Sequence, residues 1–190
     1  DSDIDLSLSD FCYEQSNVQN RNGVYYLPNQ DAGITSISIC VYKNANKQYL
    51  SKGRLLDGKK DGVWTYWTRY GSKQSQEYWS KGVQDKHTGF LGGLRFEATY
   101  KNWKESTRQH YDSNDNLTLD AIYNTPEYKA YEKHYSYHDN GNLQWSYTKI
   151  DFGDGLVWHG KSESWYEDGQ KKEESDYKYG EMGNWKEWYD

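Results

Sequence analysis

The sequence predicts an all-β chain built as a tandem array of short β-hairpin repeats. Three observations carry this reading. Near the C-terminus, Gly160 recurs as Gly183, Trp165 as Trp188 and Tyr166 as Tyr189, each 23 residues apart (188 − 165 = 23). Asp-Gly and Asn-Gly pairs recur along the chain and supply the positive φ that hairpin turns require. The segments between them are rich in Tyr, Trp and Thr, which suit pleated strands. Repeat architecture is sought first because a missed period mis-assigns the whole fold.

Composition fits a thin structure. Of 190 residues, 34% are hydrophobic, below the roughly 45–50% of an average globular domain. With 20 Tyr and 9 Trp, the apolar material is largely rings with a polar handle that can sit half-buried. The same aromatic content argues against a disordered chain. A net charge of −6 disfavours nucleic acid or anionic lipid as the main partner, since both need a basic surface. No apolar run approaches the roughly 18–20 residues that would span a bilayer as a helix.

Taken in chain order, residues 1–22 carry no repeat and are expected to be a leader or N-terminal cap, with the array running over 23–190. A loose copy begins near Val41-Tyr42, with Asn44-Ala45-Asn46 in place of a turn glycine, and runs to Asp61-Gly62. Residues 61–89 form a clear copy: Trp64 and Trp67 fill a first strand, Gly71 the turn, Glu77 and Tyr78 a second strand, then Gly82 and Gly89. Gly71 and Gly82 are 11 apart, as are Gly169 and Gly180. Residues 93–125 read as a decayed copy in which Phe96, Tyr100 and Trp103 keep the aromatic rhythm and Asn114-Asp115-Asn116 replaces a glycine turn. A further copy spans about 128–160, with Tyr135 and Tyr137 before the Asp139-Asn140-Gly141 turn. Side chains alternate along a strand, so Trp64 and Tyr66 face one side while Thr65 and Trp67 face the other. A lone hairpin cannot bury such rings, so neighbouring repeats must pair.

The pattern Gly-x-Trp-x-x-Trp-Tyr-x-x-Gly, followed by Glu-x-x-Tyr-x-x-Gly, resembles the MORN-repeat variant of the YwqK family of bacterial antitoxins. The resemblance is specific at 61–89 and 160–182, weak around 93–125, and extends to the entry strand Arg21-Asn22-Gly23-Val24-Tyr25-Tyr26-Leu27. It departs at Ala32-Gly33-Ile34-Thr35-Ser36, where the family often carries Pro-Phe-Thr-Gly. It implies an elongated antiparallel β-meander, single-layered and twisted.

Candidate chemistry is sparse. Cys12 and Cys40 read equally as one disulfide or as two separate buried thiols, and without a Cys-x-x-Cys they do not suggest a metal site. His134 and His138 would pair as metal ligands on a helix, but a strand separates them by roughly 13 Å. His87, His110 and His159 are isolated. Asp112-Ser113-Asn114-Asp115-Asn116 opens like a calcium loop, yet Leu117 stands at the glycine position and Tyr123 at the glutamate, so Asx-turn chemistry explains it better. Asp1, Asp3 and Asp5 read as solvated charges. Asp151-Phe152-Gly153 is a kinase tripeptide without a kinase around it, and Gly89, Gly92 and Gly93 precede no phosphate-binding helix. Paired acids such as Glu163, Glu167, Glu173 and Glu174 could in principle serve glycoside hydrolysis. Glu173 is placed at the repeat slot of Glu77, which favours a structural role. No catalytic residue, metal or cofactor is assigned.

Three functions compete. The resemblance implies an immunity or antitoxin-type protein that binds and neutralises a toxin, with an acidic, Tyr/Trp-rich face suited to a protein interface. A carbohydrate- or cell-wall-binding module would use exposed rings as sugar platforms, although interlocking of adjacent hairpins is the simpler role for each ring. A MORN-type scaffold is the third. Partner contacts are expected where the repeat breaks, at Trp103, Asp112, Asn114, Asp115 and Asn116, on a monomer that binds another protein. The start at Asp1 and a Cys12–Cys40 bridge, if formed, point to an exported bacterial protein, the alternative being a cytoplasmic one.

Overall fold

A computed structural model describes Cys12, Glu14, residues 17–43 and residues 48–189. Among these residues every regular element is a strand. The chain divides into two units, 1–91 and 92–190. The first holds β1 (Gln19–Arg21), β2 (Val24–Tyr26), β3 (Ser36–Val41), β4 (Tyr49–Leu56), β5 (Lys59–Trp67), β6 (Lys73–Ser80) and β7 (Val83–Leu91). The second holds β8 (Leu94–Lys101), β9 (Lys104–Tyr111), β10 (Leu117–Tyr123), β11 (Ala130–Tyr137), β12 (Leu143–Asp151), β13 (Leu156–Trp165), β14 (Lys171–Lys178) and β15 (Glu181–Glu187). In each unit the sheet is an antiparallel meander in which consecutive strands are neighbours, with β1–β2 as a separate hairpin.

Two turn types alternate, and the residues explain both. The short turns place two residues at positive φ: Asp57-Gly58 (50° and 75°), Lys81-Gly82 (50° and 88°) and Tyr179-Gly180 (53° and 89°). That is the mirror-image turn whose twist matches the flanking strands. The longer turns close with a backbone bond across five residues, Thr68 N to Ser72 O, His138 N to Asn142 O and Tyr166 N to Gln170 O, and the fourth residue is Gly71, Gly141 or Gly169 at positive φ. The 112–116 turn has the same frame, Asp112 N to Asn116 O at 3.0 Å, with Asp115 at φ 65° in the glycine slot. The Asn44-Ala45-Asn46 turn lies outside the described residues, although Tyr42 N still bonds Gln48 O across it.

The core of the first unit is built on one sheet face. Ile34, Leu55 and Trp64 are buried there, with Val18, Tyr25, Leu27, Tyr66 and Trp79 packed against them. The Trp64 ring lies where a Cβ on Gly53 would stand, 2.0 Å away, and its Nε1 donates to the Arg54 carbonyl. The covering segment is tied down by backbone bonds from Tyr25 N to Gly58 O and from Gly58 N to Ile34 O, both 2.8 Å. Gly58 has a second reason to lack a side chain, since a Cβ there would meet Val24 Cγ1 at 2.5 Å. Cys12 and Cys40 form a disulfide, with Cα atoms 4.8 Å apart, fixing the start of this cover to β3. Residues on both sides of position 22, Val18 and Tyr25 to Ile34, form one cap over the face, and the meander itself starts at Ser36.

Registers show how the two units repeat. Gly62, Trp67, Gly71 and Gly82 of the first correspond to Gly160, Trp165, Gly169 and Gly180 of the second, all offset by 98 (160 − 62 = 98). Gly62 and Gly160 share φ of 71° and 73° at a β-bulge, the irregularity that re-aims a strand. Ser51 pairs with Tyr66, while the corresponding pair is Trp145 with Ser164. Gly53 lies under Trp64, while the corresponding pair is Tyr147 with Ser162. Large and small residues have exchanged strands, which keeps the volume on the face and so the packing.

The expected equivalence of Glu173 and Glu77 is corrected by the same registers. Glu77 lies 6 residues after Gly71 and Glu173 only 4 after Gly169, so the partner of Glu77 in the second unit is Ser175. Because 4 and 6 share parity, the two acids project from the same face one cross-strand pair apart.

Candidate functional site

The residues picked out in sequence fall in two places. Trp103 stands in the turn between β8 and β9, and Asp112 to Asn116 form the turn between β9 and β10. β9 has 8 residues, so the two turns lie about 27 Å apart at roughly 3.4 Å per residue. The structure does not bring these candidates into one patch.

The 112–116 turn is internally satisfied. Asp112 Oδ1 accepts hydrogen bonds from Asn114 N and Asn116 N, both 2.9 Å, and Oδ2 accepts from the Asn116 side chain. The Asn116 backbone bond is the main reason its carboxyl is held below the usual range. Asp115 is bridged to Arg95 at 2.6 Å, and that guanidinium also lies 3.7 Å from the centre of the Tyr111 ring. These groups close the turn by Asx chemistry.

Trp103 is different. It sits at φ 63° and is 67% exposed, in the second slot of an Asn102-Trp103 turn. Gly58, Gly82 and Gly180 fill that slot in the sister turns of the sheets, and Gly23 fills it in the β1–β2 hairpin. A left-handed backbone costs a residue with a Cβ roughly 1–2 kcal/mol. In the sequence Trp103 keeps the aromatic rhythm of the strands, and its turn position follows only from the pairing of Lys101 with Lys104.

Many other rings have structural partners. Across β11 to β14 a ladder runs His134, Tyr147, Trp158 and Tyr177, with centroid spacings of 4.7, 4.3 and 5.2 Å. His138 Nε2 meets the Trp165 carbonyl at 2.9 Å, as Tyr42 and Tyr166 hydroxyls meet those of Trp67 and Trp188. His159 packs against Phe152 and Tyr179. Asp151 caps its own loop through Gly153 N and Gly155 N.

Two of the four carboxylates considered for hydrolysis, Glu163 and Glu174, are paired. Lys171 Nζ bridges Glu163 and Glu174 at 2.7 Å each, and Lys161 adds a bond to Glu174 at 3.0 Å. Lys171 first, then Lys161, hold the Glu174 carboxyl down at about 2. In the first unit, Glu77 accepts from Lys60, Tyr66 and Trp79 together. No group of three His, Cys, Asp or Glu residues able to hold a metal ion occurs among the described residues.

Comparison with family models, curated proteins and solved structures finds no match to this chain.

The second unit also has an open groove at the turn end of β12 to β14. Trp145, Ser164, Trp165, Tyr166 and Glu173 line it, with Glu167 and Asp168 at its rim, and its volume is about 870 Å³. The sequence carries no local signal for it, because Trp145 and Ser164 stand on different strands and only register makes them neighbours.

Proposed function

We propose that this chain is a non-catalytic, protein-binding repeat protein of the immunity or antitoxin type, built from MORN-variant hairpins like those of the YwqK family. Its partner is another protein, captured by the exposed end of the second unit that carries Trp103. The single observation behind this reading is Trp103 itself: a large ring, two-thirds exposed, held in a backbone conformation that its sister turns give to glycine. Strain retained at an exposed aromatic is of the kind found at binding sites, and tryptophan is enriched among residues that dominate protein interfaces.

A protein partner is favoured over a sugar by the ladder of the second unit. Sugar stacking needs free ring faces, and the faces of Tyr147 and Trp158 are taken up by their neighbours. The paired state of Glu163, Glu174 and Glu77 supports a non-catalytic role.

The test is co-expression with the product of the adjacent gene. The two proteins are expected to co-purify, and this chain is expected to restore growth that the partner alone suppresses. Trp103→Gly is expected to weaken capture at least tenfold. Failure of both capture and rescue would refute the neutralising role.

A further inference from the structure

We infer that the groove beside Trp145 and Trp165 is a receptor for an arginine side chain presented by the partner protein. The inference deepens the protein-binding reading and rests on it for the source of that side chain. Three observations carry it.

The first is charge. Glu167, Asp168 and Glu173 face the groove against one cation, Lys172, a balance of −2 (1 − 3). Lys172 already lies over the Tyr166 ring, 5.5 Å from its centroid. Glu173 makes no ion pair among the described residues, and it stands directly opposite Glu187 across β14 and β15. Like charges in that arrangement destabilise a sheet pair, and a cation brought beside them relieves the repulsion.

The second is a polar atom waiting for a partner. Ser164 Oγ is buried on the groove wall without a hydrogen-bond partner among the described residues, and Ser164 is paired with both Trp145 and Glu173 in register. An unmet buried hydroxyl costs about 1–3 kcal/mol. A guanidinium carries five donors on a planar frame, enough to reach Ser164 and a carboxylate while stacking on indole.

The third is a precedent in the same repeat face. In the first unit Lys60 lies 4.9, 5.3 and 5.0 Å from the centres of the Trp64, Tyr66 and Trp79 rings and bonds Glu77 at 3.1 Å. There the chain supplies its own cation to rings and a carboxylate. In the second unit the slot of Lys60 holds Trp158 (60 + 98 = 158), and Lys149 lies 5.5 and 5.6 Å from the centres of the Tyr147 and Trp158 rings, while no cation lies over Trp145 or Trp165 among the described residues.

The test uses the full chain and two blocked peptides, Gly-Gly-Arg-Gly-Gly and the same peptide with citrulline, followed by indole N–H signals in proton–nitrogen spectra. The arginine peptide is expected to shift the Trp145 and Trp165 signals saturably, at least tenfold more tightly than the citrulline peptide. Glu173→Gln is expected to abolish that difference, and Ser164→Ala to weaken arginine binding severalfold, each in a protein that melts at or above the parent. Equal binding of both peptides, absence of shifts, or full affinity in Glu173→Gln would each overturn the inference. Peptide binding with failed partner capture would instead count against the neutralising role alone.

Discussion

Replacing Trp103 by glycine is expected to make the protein more stable while making it a poorer binder. The backbone at φ 63° costs a side-chain-bearing residue roughly 1–2 kcal/mol, which glycine removes. Glycine adds about 0.4–1 kcal/mol of unfolded-state entropy, so the net gain is about 0.5–1 kcal/mol. Little packing is lost, because the ring is 67% exposed. For a chain of 190 residues each kcal/mol moves the melting temperature by roughly 2–4 °C. The Trp103→Gly protein should therefore melt about 1–4 °C higher by far-ultraviolet circular dichroism. Trp103→Ala is the control: it removes the ring but keeps the backbone penalty, so it should show no such rise. A Trp103→Gly protein that melts several degrees lower would refute the reasoning, because it would make the ring a packing group.

Other perturbations have defined outcomes. Gly53→Ala places a methyl within 2.0 Å of the Trp64 ring, and the overpacking should cost about 1–3 kcal/mol, read as a lower urea midpoint with unchanged slope. Reducing the Cys12–Cys40 disulfide opens a loop of 28 residues, worth about 3.5 kcal/mol in the chain-entropy model, and the melt should fall by roughly 7–14 °C. Glu174 has a folded-state carboxyl held down at about 2, so its contribution is present above the ordinary glutamate range and fades as pH falls toward 2. Acid titration of Glu174→Gln should accordingly show a shallower loss of stability between pH 4.5 and 2 than the parent, and identical slopes would contradict the Lys161–Glu174–Lys171 bridge.

The fold was legible because its signals are local. Gly71, Gly82, Gly141, Gly169 and Gly180 announce turns through backbone requirements that no tertiary contact is needed to read. Asn114-Asp115-Asn116 could be read as a substitute turn for the same reason, since Asp tolerates the left-handed slot and caps the loop with its own side chain. What escaped is what depends on register. Glu173 was matched to Glu77 because a two-residue slip preserves the face. The exchange of Gly53 and Trp64 for Tyr147 and Ser162 defeats a reading that expects a ring at one fixed slot. The cap over the first unit escaped because Val18 and Ile34 join the core through packing, with no repeat to mark them. Trp103 was seen as a candidate, but its strain and its distance from Asp112 follow from the strand ends of β9 alone.

The central proposal is capture of a protein partner through the exposed turn that holds Trp103. The most direct measurement is the dissociation constant of the partner captured by co-expression, for the parent and for Trp103→Gly, alongside their melting temperatures. At least tenfold weaker binding is expected of a variant that melts at or above the parent. Undiminished affinity in that variant would contradict it.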